Sequence, residues 1–161
     1  MTGVLKDLTI RKATENDFDS ILNLASQLYK TEQPFDRNIK DGYYQTVTGR
    51  KELLKSIKSR KRIFLVAMIK NNVVGYVNGY IYDKEDVYIK KVAYLDQISV
   101  DKNYKQKGIG TKLIDEFTNK VKKKGAEYIK LNAFEDNEPA IKLYGKKGFD
   151  KYSIFYMKKV D

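Results

Sequence analysis

The sequence contains no cysteine and no histidine. Each absence removes a class of chemistry. Without cysteine there is no disulfide and no thiolate nucleophile. Without histidine there is no imidazole to act as general base near neutral pH. The donors that usually hold zinc and other transition metals are missing with them, so no metal site is expected. Acid–base work falls to carboxylates, tyrosines, lysines, backbone and water. Long apolar runs are missing too. The longest, Ile63 to Ile69, is too short to span a bilayer. No apolar leader-like stretch follows Met1, so a cytoplasmic protein without a membrane partner is the simplest expectation.

What is present describes a folded protein. The chain of 161 residues is 42% apolar and 33% charged, enough for a proper core. A single domain over residues 1–161 is expected, with no linker, repeat or low-complexity segment. Lysine and arginine number 32 against 21 acidic residues, a net charge of +11. Such a field favours an anionic partner: nucleic acid, a membrane surface or a phosphorylated ligand. A lysine-rich solvated surface explains the same number.

The pattern along the chain alternates strands and helices. Leu8 to Lys12 reads as a short strand, and Thr14 with Asp17 as an acidic capping box. Phe18, Ile21, Leu22, Leu24, Ala25 and Leu28 recur at helical spacing, which predicts a helix over about Glu15 to Tyr29. Lys30 to Thr48 reads as a loop holding Glu32, Asp36, Asp41, Phe35, Tyr43 and Tyr44. A short helix is predicted over Arg50 to Ser59. Arg62 to Lys70 and Val73 to Tyr82 read as a hairpin turning at Asn71-Asn72, with Gly75 marking a bulge or a close backbone approach. A turn at Asp83 to Asp86 leads to a strand, broken or not, from Val87 to Val100. A helix from Thr111 to Lys124 stops at Gly125. Ala126 to Phe134 reads as a strand, and Asn137 caps a helix that ends at Lys146-Lys147-Gly148. Asp150 to Lys159 closes the chain as one or two strands. The expected class is α/β, a mixed sheet with helices on both faces.

One junction carries most of the functional information. The apolar run Tyr94 to Val100 ends in Asp101-Lys-Asn-Tyr-Lys-Gln-Lys-Gly108-Ile-Gly110-Thr-Lys-Leu113, which opens a helix. Unpaired N–H groups and the positive end of the dipole make such a junction a candidate anion site. A P-loop would need glycine where Lys105 stands and lysine where Thr111 stands. A dinucleotide fingerprint would need a third glycine in place of Leu113.

The remaining pattern, Lys105-Gln-Lys-Gly108-Ile-Gly110, resembles the pyrophosphate loop of the GNAT superfamily of N-acetyltransferases, Gln/Arg-x-x-Gly-x-Gly/Ala. It departs at Lys105, which carries charge but lacks the planar fork of arginine. The second half matches the family pattern Asn-x-x-Ala-x-x-x-Tyr-x-x-x-Gly-Phe at Asn137, Ala140, Tyr144, Gly148 and Phe149. The resemblance implies the GNAT fold, an acyl-CoA N-acyltransferase architecture whose mostly antiparallel sheet splays between the fourth and fifth strands. It implies acetyl-CoA as cosubstrate, no metal, and direct transfer of acetyl to a primary amine in a ternary complex. Ile98, Ser99 and Val100 would meet the pantetheine by strand addition. The N–H groups of Gln106, Lys107, Gly108, Ile109, Gly110 and Thr111 would hold the pyrophosphate, and Lys105 and Lys107 would reach the outer phosphates. Tyr144 would be general acid to the leaving thiolate, and Asn137 would cap its helix and touch the cofactor. Asp96, or Glu135, or a water would be the base. The acceptor stays open among a protein lysine or N-terminus, a polyamine, an amino acid and an aminoglycoside-like drug. Dimers are common in the family, and the residues leave oligomeric state open. Two alternatives compete: a basic nucleic-acid-binding module, against which the dispersed lysines and absent motifs argue, and an inactive CoA-binding protein of the same fold.

Overall fold

The computed structural model describes residues 3–82 and 90–160. The strands are β1 (Leu8–Lys12), β2 (Arg62–Ile69), β3 (Asn72–Ile81), β4 (Val92–Val100) and β5 (Tyr128–Lys130). The helices are α1 (Phe18–Glu32), α2 (Val47–Lys58), α3 (Ile109–Lys123) and α4 (Glu138–Lys146). The strands lie side by side in chain order. Pairing is antiparallel from β1 to β4, and β4 runs parallel to β5. This is the mixed sheet that the pattern of elements predicts.

The period-two alternation of β2 decides the layering. Phe64 and Val66 point to one face, where Ile21, Leu24 and Ala25 of α1 and Leu53 and Ile57 of α2 cover them. Ile63, Leu65 and Ala67 point to the other, against Leu113, Ile114, Phe117 and Val121 of α3. Helix α3 sits close because Gly79 of β3 has no side chain. A Cβ there would lie 2.6 Å from Phe117 Cζ and 2.3 Å from the Tyr94 carbonyl oxygen.

Local chemistry fixes the entry to α1. Asp17 accepts from the Thr14 N–H at 2.8 Å and from both terminal nitrogens of Arg11 at 2.7 Å. Its oxygens are thereby paired although the side chain is buried. Helix α1 runs one turn further than its apolar spacing predicts, which brings Glu32 into the helix. Helix α2 starts earlier than expected, at Val47, because the Thr46 hydroxyl accepts from Gly49 N–H at 3.0 Å.

Two features of the sheet position the site. The pairing of β4 with β5 is confined to Val92–Tyr94 against Tyr128–Lys130, so the two strands separate beyond Tyr94. The register of β4 on β3 also slips. Asn78 pairs with Gln97 and Gly79 with Leu95, leaving Asp96 as the extra residue of a β-bulge at the splay. A second slip, at Ala67/Met68, lies beside Gly75.

Three expectations need correction or placement. The strand expected over Ala126 to Phe134 holds ladder pairing only at Tyr128–Lys130. Asp150 to Lys159, expected as one or two strands, form none and are exposed. Apolar content alone makes no strand: a ladder needs a neighbouring edge, and the three residues of β5 offer few groups to pair. The turn at Asp83–Asp86 and the strand start at Val87 lie outside the described residues.

Candidate active site

The splay leaves one edge of β4 open beyond Tyr94. Along it lie Asp96, Gln97, Ile98, Ser99 and Val100. Ser99 is buried and donates to the Leu24 carbonyl at 3.1 Å, which locks β4 to α1. At the end of the strand Asp101 accepts from Asn103 N–H at 2.9 Å and from the Gln27 amide at 3.3 Å. The chain then turns through a single 3-10 turn, Lys102–Tyr104.

The next residues form the loop expected to hold an anion. Gln106 has φ +60° and Gly108 has φ +83°, both in the left-handed region. Glycine meets that need at 108 without strain. The two reversals swing the backbone over the start of α3, whose N-cap is Gly108. The N–H groups of Ile109, Gly110 and Thr111 open the helix and have no intrahelical acceptor. Val100 and Leu143 flank Gly110, which ties the loop to both β4 and α4. Lys105 is exposed, and Lys107 donates to the Asn103 carbonyl at 2.8 Å while lying 5.1 Å from the Tyr104 ring centre. The sequence-expected phosphate residues Lys105 to Thr111 thus stand as one continuous loop and helix start at the open end of the splay.

Helix α4 packs on the start of α3 through Leu143, beside Gly110. The Asn137 side chain accepts from Ala140 N–H at 3.3 Å, the capping role expected of it. Tyr144 packs edge-on to Phe149 with ring centres 5.9 Å apart. Burial pushes the Tyr144 phenol up to about 12, and the negative charge of Glu32 adds to the rise. The tyrosine therefore keeps its proton throughout the working range of an enzyme.

On the other side of β4 lies a cavity of about 330 Å³ lined by Tyr29, Glu32, Ile39, Lys40, Tyr43, Asp96 and Gln97. Its aromatic wall is built by contact. Tyr29 stacks on Tyr43 at 5.8 Å, and both touch the buried Tyr44. Gln97 is held by two phenols, donating to Tyr44 Oη at 3.0 Å and accepting from Tyr76 at 3.3 Å. Phe35 stacks on Phe134 at 5.9 Å, joining the loop after α1 to the loop before α4.

The candidate bases separate. Asp96 lines the cavity and is bound to Arg62, which also donates to Asn78 at 2.8 Å. Glu135 is exposed in the loop between β5 and α4 and does not line the cavity. Glu32, which reads as a loop acid in the sequence, instead ends α1 and lines the cavity. Burial raises its carboxyl above the ordinary range. The usable signal is spacing: Glu32 follows Tyr29 by three residues, so both lie on one helical face. Gln97 and Arg62 carry no sequence signal for their roles, which depend on cross-strand register.

The sequence pattern of the acetyltransferase (GNAT) family matches residues 22–149. The chain belongs to this family. An uncharacterized N-acetyltransferase of Methanocaldococcus jannaschii is 28% identical over 153 residues, covering 94% of this chain, which in turn spans 65% of that relative's length. A protein of Saccharolobus solfataricus named N-alpha-acetyltransferase is 27% identical over 155 residues, covering 92% of this chain and 84% of its own. The solved structure of a tetramutant of the BH1408 protein from Bacillus halodurans superposes with a TM-score of 0.85 at 18% identity, covering 94% of this chain and 99% of that one. The GNAT fold is thus shown, and with it the N-acetyltransferase class and the family's use of acetyl-CoA. No helix among the described residues is long and apolar enough to cross a membrane.

Proposed function

We propose that the chain transfers the acetyl group of acetyl-CoA to a primary amine by direct attack in a ternary complex. One observation carries the reading. The open edge of β4 runs from the loop at Gln106–Thr111 to a cavity holding carboxylates, with Tyr144 on the helix whose Leu143 packs beside Gly110. Donor and acceptor thus have separate approaches to one strand.

The residues fit coenzyme A. The helix start and its loop would receive the pyrophosphate, and the lysines would attract the outer phosphates. The backbone of Ile98 to Val100, paired with β3 on one side and open on the other, would pair with the pantetheine amides along its open edge. When bound, acetyl-CoA supplies an activated acyl carbon. The chain supplies the rest: orientation along β4, a seat for the amine, and the Tyr144 proton for the departing sulfur.

A peptide or protein α-amine is the favoured acceptor. The Saccharolobus relative is named for that activity. An α-amine also loses its proton at about 7.7–8.0, against about 10.4 for a lysine side chain, so less basic help is needed. Lys40 at the cavity and the net charge of +11 disfavour polycations such as polyamines and aminoglycosides.

The test is release of free thiol from acetyl-CoA across an amine panel of peptides, lysine derivatives, polyamines and aminoglycosides. Peptides with a free N-terminus should be turned over most efficiently and N-terminally blocked ones should not. Equal turnover of both would reject the α-amine; no turnover of any amine would reject the enzyme reading.

A further inference from the structure

The acceptor cavity contains two carboxylates in different states. Asp96 is engaged by the Arg62 guanidinium, and Arg62 is itself anchored on Asn78 and lies 5.1 Å from the Tyr80 ring centre. Glu32 is half-buried, and its carboxylate takes part in no hydrogen bond or ion pair among the described residues. A desolvated carboxylate without a partner is costly, and such a group is kept when a ligand completes it.

We infer that Glu32 is the seat of the acceptor's ammonium group and the base that takes its proton. The inference rests on the acetyltransferase reading above and adds a residue to it. The aromatic faces of Tyr29 and Tyr43 flank the same cavity and suit a cation. Six groups with charge or titrating protons share the cavity with Glu32 or feel its charge: Tyr29 on α1, Lys40 and Tyr43 from the following loop, Tyr76 on β3, Asp96 on β4 and Tyr144 on α4. Lys40 is the one cation among them. It leaves no room in the balance of charge for a second cation on the acceptor beside its reacting nitrogen. The acceptor class is therefore a primary amine with an uncharged neighbouring group.

The reaction balances with the residues named. The ammonium gives a proton to Glu32, which becomes a neutral acid, and nitrogen keeps the electron pair. That pair forms the C–N bond to the thioester carbon while the carbonyl π pair moves to oxygen. Collapse of the adduct restores C=O and breaks C–S, and sulfur departs with the bonding pair. The sulfur takes the Tyr144 proton, and the excess proton on nitrogen returns to the phenolate oxygen. Glu32 then releases its proton to water. The two groups also communicate. Glu32 as an anion makes Tyr144 hold its proton more tightly. Protonating Glu32 removes that charge, so Tyr144 becomes a better acid at the stage when sulfur needs its proton.

The experiment compares the parent, Glu32→Gln and Asp96→Asn by thiol release from pH 6 to pH 10, using a peptide with a free N-terminus. Acetyl-CoA affinity and thermal midpoint are measured alongside. Glu32→Gln should lose about a hundredfold or more in kcat/KM at pH 6 to 7. The deficit should shrink above the acceptor's own pKa, where the amine arrives neutral. Its acetyl-CoA affinity should be unchanged, and its melting temperature equal or higher, since a carboxylate that resists ionisation is replaced by a neutral amide. Asp96→Asn should show a smaller deficit that does not vary with pH. A parent-like Glu32→Gln, or a deficit constant across pH, overturns the assignment, as does a deficit accompanied by a lower melting temperature and weaker acetyl-CoA binding. A parent that neither binds acetyl-CoA nor releases thiol would instead defeat the acetyltransferase reading itself.

Discussion

Tyr144 keeps its proton because it is packed against Phe149 and faces the charge of Glu32. A phenol in that state can give a proton only to a base created during the reaction, and the departing thiolate is such a base. Replacement with phenylalanine keeps the ring packing and removes the proton. Tyr144→Phe should lower kcat by about ten- to a thousandfold with acetyl-CoA affinity nearly unchanged, as read by steady-state thiol release and by titration. Asp17 illustrates a different use of a buried acid. The hydrogen bonds from Arg11, and those from Thr14, hold its carboxyl below the ordinary carboxylate range. A group depressed on folding contributes stability above its unfolded value and loses it as pH falls through the folded one. Asp17→Asn should therefore cost about 1–3 kcal/mol at pH 7. The difference from the parent should narrow below about pH 4, as measured by urea unfolding at both pH values.

At the scale of elements, the geometry of the site comes from what β4 does not do. Its ladder to β5 stops after Tyr94, and its ladder to β3 slips at Asp96. The first leaves the edge proposed for the donor open, and the second sits where the cavity lined by Asp96 and Gln97 meets the strand. Helix α3 must pack closely for its N-terminus to reach the end of that edge, and Gly79 permits the approach. Gly79→Val should destabilise the fold by about 1–3 kcal/mol through overpacking against Phe117, seen as a lower urea midpoint. Much of this order is legible in the sequence. The Lys105–Gly110 and Asn137–Phe149 motifs place the anion loop, the cap and the tyrosine helix, since glycines and caps act through local backbone geometry. Ladder partners are not legible, because they depend on edges brought together from far along the chain. That is why the strands expected at Asp150–Lys159 are missing, and why Arg62, Gln97 and the bulge at Asp96 escaped the sequence reading. Glu32 lay within reach of it, but the apolar spacing of α1 fades after Leu28, so the last turn reads as loop.

For the molecule as a whole, the net charge of +11 and the chosen ligand agree. Acetyl-CoA is an anion with several phosphate charges, and a basic protein attracts it over a distance of about a Debye length, roughly 8–10 Å near physiological salt. The same field gives no preference for a polycationic acceptor, and the cavity proposed for the amine is lined by Lys40. The family matched over residues 22–149 uses acetyl-CoA, an anion of the kind such a field attracts. The central claim is that the loop at Gln106–Thr111 and the open edge of β4 form a donor site. Calorimetric titration of the parent with acetyl-CoA tests it most directly. Binding should saturate, weaken as salt is raised and be blocked by prior addition of coenzyme A. Absence of binding at low salt would contradict it.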